Sequence, residues 1–247
     1  MLASGCVVAL PVTRKIHFTR FKFTVVYTCA MESATDFDIT DYSFDEFVSF
    51  VFAHDVAAEH ETQWYWKAAD VTFAPQQVCA YYVRLFRNPE FLLERFSKLH
   101  LEQGFWAIFS GIDWGLEKLL WETEIPFPQR KECVTAMFDL FSRFFATEPL
   151  EDSCFMWWDA LCYVWHSGWR VRERGGEDLE MQDAMFQTIS AILFLDSPHC
   201  QKAALHGLGH LHHPETQTLV QRYIETHPSL TEPEKEYALA AAKFEVL

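Results

Sequence analysis

Glycine is scarce in this chain, with nine in 247 residues. None of them falls in G-x-x-x-x-G-K-[ST], G-x-G-x-x-G or G-x-S-x-G, so the usual phosphate-cradling and nucleophile-presenting loops are missing. Alternating Val/Ile/Thr-rich runs are also rare, which favours helices over sheets. The seven cysteines are odd in number, scattered and never spaced C-x-x-C, a pattern of reduced thiols in a cytoplasm and not of a disulfide framework. No apolar run approaches the length of a membrane span. The N-terminus does not read as a secretory signal, because its apolar CVVALPV precedes the basic residues and a signal peptide has the reverse order.

Positive charge is the other shortage. Twenty Lys and Arg face 35 Asp and Glu, for a net charge of −15. Residues 1–30 carry +4 and no acid, so the remaining 217 carry −19. Such a body repels phosphate backbones, which argues against nucleic acid and for a basic protein as partner. No cofactor and no membrane contact is expected, and the oligomeric state is open.

What the chain has in quantity is aromatic side chains: nine Trp and 23 Phe, with half of all residues hydrophobic. That composition belongs to a globular protein with a substantial core. The first thirty residues differ in kind from the rest, and three readings stay open for them. They form an extraneous extension upstream of a start at Met31, a basic targeting segment, or an added strand or arm through IHFTRFKFTVV. Residues 31–247 read as a single helical domain.

Proline and capping residues mark the helix starts. Asn88-Pro89, Ser197-Pro198 and His213-Pro214 have the form of an N-cap followed by a first helical residue, and Phe127-Pro128 opens another helix. Capping boxes stand at Ser43–Glu46 and Thr231–Glu234. The first helix, near 43–54, presents Phe44, Phe47, Val48, Val51 and Phe52 on one face. Residues 55–72 read as a long loop. Helices follow at 75–87, 89–97, 99–109, 113–122, 129–146, 151–166 and 178–195. Starts at 198, 214 and 232 with short connections imply antiparallel neighbours.

Within residues 197–247, the "AAL-x-GLG-x-L" helix, the Pro-containing break and the second helix "LVQRYI" resemble a HEAT-like repeat of the phycobilisome-lyase type. The resemblance implies stacked antiparallel helix pairs, an all-α solenoid of the kind that usually binds other proteins. It implies no catalytic residues that can be placed on this sequence.

Two stretches carry candidate chemistry. HGLGHLHHP holds four histidines, of which His206 and His210 lie one turn apart, the i, i+4 spacing of helical metal ligands. Leu205, Leu208 and Leu211 form the inward stripe, which leaves those histidines on the opposite face. His213 precedes a proline and reads as the cap of the next helix. Cys200 or His199 is a distant third ligand. The plainer reading has Gly207 and Gly209 admitting a close neighbouring helix, with the histidines solvated or hydrogen-bonded.

The second stretch, CFMWWDALCYVWHSGWRVRERGGED, places Asp159, Cys162 and His166 on one helical face, an order that resembles an activated thiol. Partners on one helix seldom also frame a substrate, and the plainer reading is a packed cysteine with a polar tie. Trp157, Trp158, Trp165 and Trp169 are interface anchors or core fillers. Arg170, Arg172 and Arg174 hold an anion or pair with local acids. The leading expectation is a non-enzymatic protein-binding scaffold that engages a basic partner through Trp157, Trp158, Trp165, Trp169 and the three arginines. The alternative is a metal- or cysteine-dependent enzyme using His206/His210 or Cys162/His166.

Overall fold

A computed structural model describes residues 35–58, 61–110 and 113–246. The readings offered for residues 1–30 lie outside the described residues. The chain from 34 onward holds together as one unit and is mostly helical. None of its described helices is long and apolar enough to cross a membrane.

The first helix, α1 (Phe44–Phe52), starts at the Ser43 capping box. The Ser43 N–H donates to Glu46 Oε2 at 2.8 Å, and the Glu46 N–H donates back to Ser43 Oγ at 3.4 Å. Its stripe is buried as the spacing requires, with Phe50 added. The expected loop that follows contains structure instead. A short helix, α2 (Trp64–Lys67), leads into β2 (Ala68–Thr72), which pairs in parallel with β1 (Thr35–Asp38). A parallel pair needs a long crossover, and α1 and α2 supply it. Phe37 of β1 packs edge-on against Phe50 and His54.

Next come α3 (Pro75–Arg87), α4 (Phe91–Arg95), α5 (Lys98–Phe109) and α6 (Leu116–Leu119). Proline at the first turn opens α3, and Ser97 caps α5. Helix α7 (Phe127–Leu140) runs on into a π turn over Phe141–Phe145, closed by the Ala146 N–H donating to the Phe141 carbonyl at 2.8 Å. A π turn widens the helix and moves its side chains off the α register. That brings Phe141, Phe144 and Phe145 all into the core.

The C-terminal part holds α8 (Ser153–His166), α9 (Gly176–Leu193), α10 (Pro198–Leu211), α11 (Thr216–Thr226) and α12 (Glu232–Ala242). Helix α7 packs on α3 and α9, α8 on α10 and α5, and α10 on α9 and α12. Arg130, almost wholly buried, ties α7 to α9. It donates to the Ile125 and Leu120 carbonyls and, through one guanidinium nitrogen, to both carboxylate oxygens of Glu177.

Candidate functional site: an Asp–His–His cluster between two helices

Three features fix α8 against its neighbours. The Glu102 carboxylate, reaching from α5, accepts the backbone N–H groups of Glu151, Asp152 and Ser153 at 2.9–3.2 Å. It thereby satisfies orphan donors at the start of α8 and complements the helix dipole. The Trp157 ring stands edge-on to Phe86, Phe105, Phe109 and Phe145, with centroids 5.5–6.0 Å away. Finally, α10 crosses α8 at Gly207, where a Cβ would lie 2.4 Å from the Cβ of Trp158. Only glycine permits that approach, and it sets the next residue of α8, Asp159, against α10.

Asp159 Oδ1 lies 2.9 Å from His210 Nε2 and 3.7 Å from His206 Nε2. The three ligand atoms all fall within 4.8 Å of one another. The side chains are 14% (Asp159), 3% (His206) and 6% (His210) exposed. Both histidines are therefore buried, not on a solvent face as their position opposite the leucines suggested. The reason is that α8 covers the second face of α10, which is buried from Ala203 to Leu211. From α12, the Tyr237 hydroxyl shares a 2.7 Å hydrogen bond with His206 Nδ1, which turns Nε2 toward Asp159. The His206 ring stacks on Phe155 at 4.4 Å. The rings of His210 and His206 meet edge to face. At the outer rim, His166 packs edge-on against His210 at 4.9 Å and His212 at 5.2 Å. Although close to Asp159, His210 Nε2 lies off the hydrogen-bonding direction, and among the described residues neither ring nitrogen makes a directed hydrogen bond.

Burial and the adjacent His210 push His206 down to about 4, so its imidazole is neutral near pH 7. Burial raises the Asp159 carboxyl, but the closeness and charge of His210, with smaller help from His206 and His166, hold it below the usual range. Burial lowers His166 and His212, and each is lowered further by neighbouring histidines. Burial and Asp159 raise the Tyr237 hydroxyl. The cluster thus offers two nitrogens and one carboxylate oxygen, with His166 beside it.

The other candidates fall elsewhere. Cys162 is fully buried, and burial followed by Asp159 pushes its thiol well above the ordinary range, so it cannot supply an accessible thiolate beside His166. Cys200 Sγ approaches the Phe141 carbonyl, and His199 lines a separate cavity, so neither joins His206 and His210. Trp157, Trp158 and Trp165 are core residues and present no ring to a partner. Trp169 stands apart at 70% exposed. The arginines pair locally. Arg170 reaches Asp178 at 3.0 Å, Arg172 reaches Asp183 at 2.5 Å, and Arg174 reaches Asp178 at 3.5 Å and the Trp169 carbonyl at 2.8 Å. With those charges answered, an anion gains little there.

The concavities among the described residues include two worth noting. One, of about 520 Å³, lies along α1 and includes Phe37, Tyr42, His54 and Arg95. The other, of about 290 Å³, includes Cys154, Phe155, His199 and Lys202. Neither is lined by Asp159, His206 or His210.

The chain matches no protein-family model, no curated protein and no solved structure. Tyr237 escaped the sequence reading because nothing local marks it. Asp159 was grouped there with Cys162 and His166 on its own helix, whereas its partners stand on α10.

Proposed function

We propose that this protein is a non-enzymatic helical module that binds a partner protein through the loop between α8 and α9. One observation carries the reading: Trp169 is 70% exposed at a backbone held from several sides. Arg174 holds its carbonyl, Arg170 anchors the next residue to Asp178, and the Arg170 N–H donates to the Val164 carbonyl at 2.9 Å. A solvent-facing tryptophan on a backbone already held in place costs less to order on binding and matches the residue type that dominates interface energetics. Half-exposed Arg174 and Tyr163 flank it in the chain.

Helices α9–α12 would then be HEAT-like pairs in a solenoid. The packing lends support where α8 meets α10 and α10 meets α12, each two helices along, as in stacked pairs. The net charge of −15 supports a basic partner through long-range steering. The free, buried thiols of Cys79, Cys133, Cys154, Cys162 and Cys200 suit a cytoplasmic setting. An enzyme built on Asp159, His206 and His210 would need substrate access, and none of the three lines either concavity described above.

The test compares the full chain with Trp169→Ala as bait in quantitative capture from native lysate, with circular dichroism to confirm the fold of each. A partner held by the wild type should fall by about tenfold or more with Trp169→Ala. Equal retention of every captured protein by both baits overturns the reading.

A further inference from the structure

The geometry points to Asp159, His206 and His210 as a binding site for one divalent transition-metal ion, zinc by best match, that staples α8 to α10. The donor set is the first argument. Two imidazole nitrogens and one carboxylate oxygen suit zinc and its first-row neighbours, whereas calcium and magnesium take oxygen shells.

Distance is the second argument. Bonds of about 2.0 Å in tetrahedral geometry separate ligand atoms by about 3.3 Å. The separations from Asp159 Oδ1 are 2.9 and 3.7 Å, and all three atoms fit within 4.8 Å, so changes in separation of at most about 1.5 Å bring them to that geometry. The third argument is the state of His210. Its side chain is 6% exposed, yet neither ring nitrogen is hydrogen-bonded. Its polar neighbour at Nε2 is the Asp159 carboxylate, in a contact off the hydrogen-bonding direction, and an ion shared by the two replaces that poor contact with two good bonds.

The surroundings fit as well. Metal-bound histidines commonly engage their second nitrogen in a hydrogen bond that fixes the ring, and Tyr237 does this for His206 at 2.7 Å. A further donor is at hand in His166, whose ring centroid is 4.9 Å from that of His210, and this imidazole or a water completes four ligands. His213, by contrast, has both nitrogens engaged, by Asp183 and by the Glu215 N–H, and is no ligand. The site ties α8 to α10, so its role is structural.

The experiment uses the full chain without a histidine tag, stripped with chelator and dialysed. Zinc is titrated by calorimetry against a competing chelator, and cobalt(II) is followed by its visible d–d bands. Expected are one ion per chain, a Kd of about 1 μM or tighter, tetrahedral cobalt bands, and a zinc-dependent rise in melting temperature. Asp159→Asn and His210→Gln should each lose about 100-fold in affinity, and Tyr237→Phe about tenfold. His227→Gln, at the C-terminal cap of α11, should change nothing. Substoichiometric zinc, or equal affinity in the ligand variants and the wild type, overturns the proposal. If either ligand variant fails to fold, Tyr237→Phe and the wild-type melting shift still decide it: no rise in melting temperature with zinc rejects the site. Partner capture has no part in these readouts.

Discussion

Two buried His–Asp contacts sit at the two ends of one short segment, and they differ in how completely they are satisfied. His213, just past α10, places Nε2 3.0 Å from Asp183 Oδ1, and its Nδ1 accepts the Glu215 N–H at 3.2 Å. One neutral tautomer serves both bonds, and the ring stacks on Phe186 at 3.9 Å. Asp183 also receives Arg172. His210 lies as close to its own aspartate, at 2.9 Å, yet forms no directed hydrogen bond at either nitrogen. The first contact is a finished tie between a loop and α9. The second is an open set of ligand atoms. Residue type and distance do not separate the two cases, but the count of satisfied nitrogens does.

The strongest way to break the comparison is Gly207→Val. Its added carbons would enter space where even a Cβ lies 2.4 Å from the Trp158 Cβ, so α8 and α10 must part. Stability in urea should fall by about 3 kcal/mol, the upper end for overpacking. Asp159 should separate from the histidines while His213 keeps Asp183. Unchanged stability would mean that the close crossing is not real.

Acid should come next. His206 is held at about 4 in the fold, against an ordinary value near 6.5 once unfolded. Between those values the unfolded chain binds the extra proton, so stability falls as pH drops from 6.5 toward 4 and levels off below. The loss is on the order of 3 kcal/mol. Denaturation midpoints from pH 8 to pH 4 in chelator should show it, and His206→Gln should flatten the curve.

A smaller effect sharpens the contrast directly. His213→Leu removes two hydrogen bonds and should cost about 2 kcal/mol. His210→Leu, in chelator at pH 8, removes no directed bond but leaves Asp159 buried without its nearest neighbour, and should cost about 1 kcal/mol. Equal losses would make the two histidines equivalent and erase the distinction. Smallest is Trp169→Ala, a change at an exposed site, which should alter stability by less than about 0.5 kcal/mol. A large loss there would assign Trp169 to folding and remove it as a binding anchor.

Much of the helical order was legible in the chain, and for local reasons. Ser43 and Thr231 announce α1 and α12 because a capping box is made within four residues. Ser197-Pro198 announces α10 in the same way. Pro214 was readable as a stop because it forbids the helix to continue, but His213 is not the cap expected of it: α11 starts at Thr216, with Glu215 in the capping position. The β1–β2 pair was not legible, since AADVT alternates weakly and its partner lies on the far side of α1. The π turn at Phe141–Phe145 has no sequence marker either.

The tryptophans show the same boundary. Trp157 and Trp158 stand in the same run as Trp169, but α5, α7 and α10 enclose the first two and nothing encloses the third. The sequence alone determined that this chain is helical, acidic and rich in core-forming aromatics, because propensity, capping and charge act over a few residues. Only the tertiary structure decided which histidine is satisfied and which is left open, because Asp159 and Asp183 are brought to α10 and its end by different helices, and no local rule couples residues so far apart in the chain.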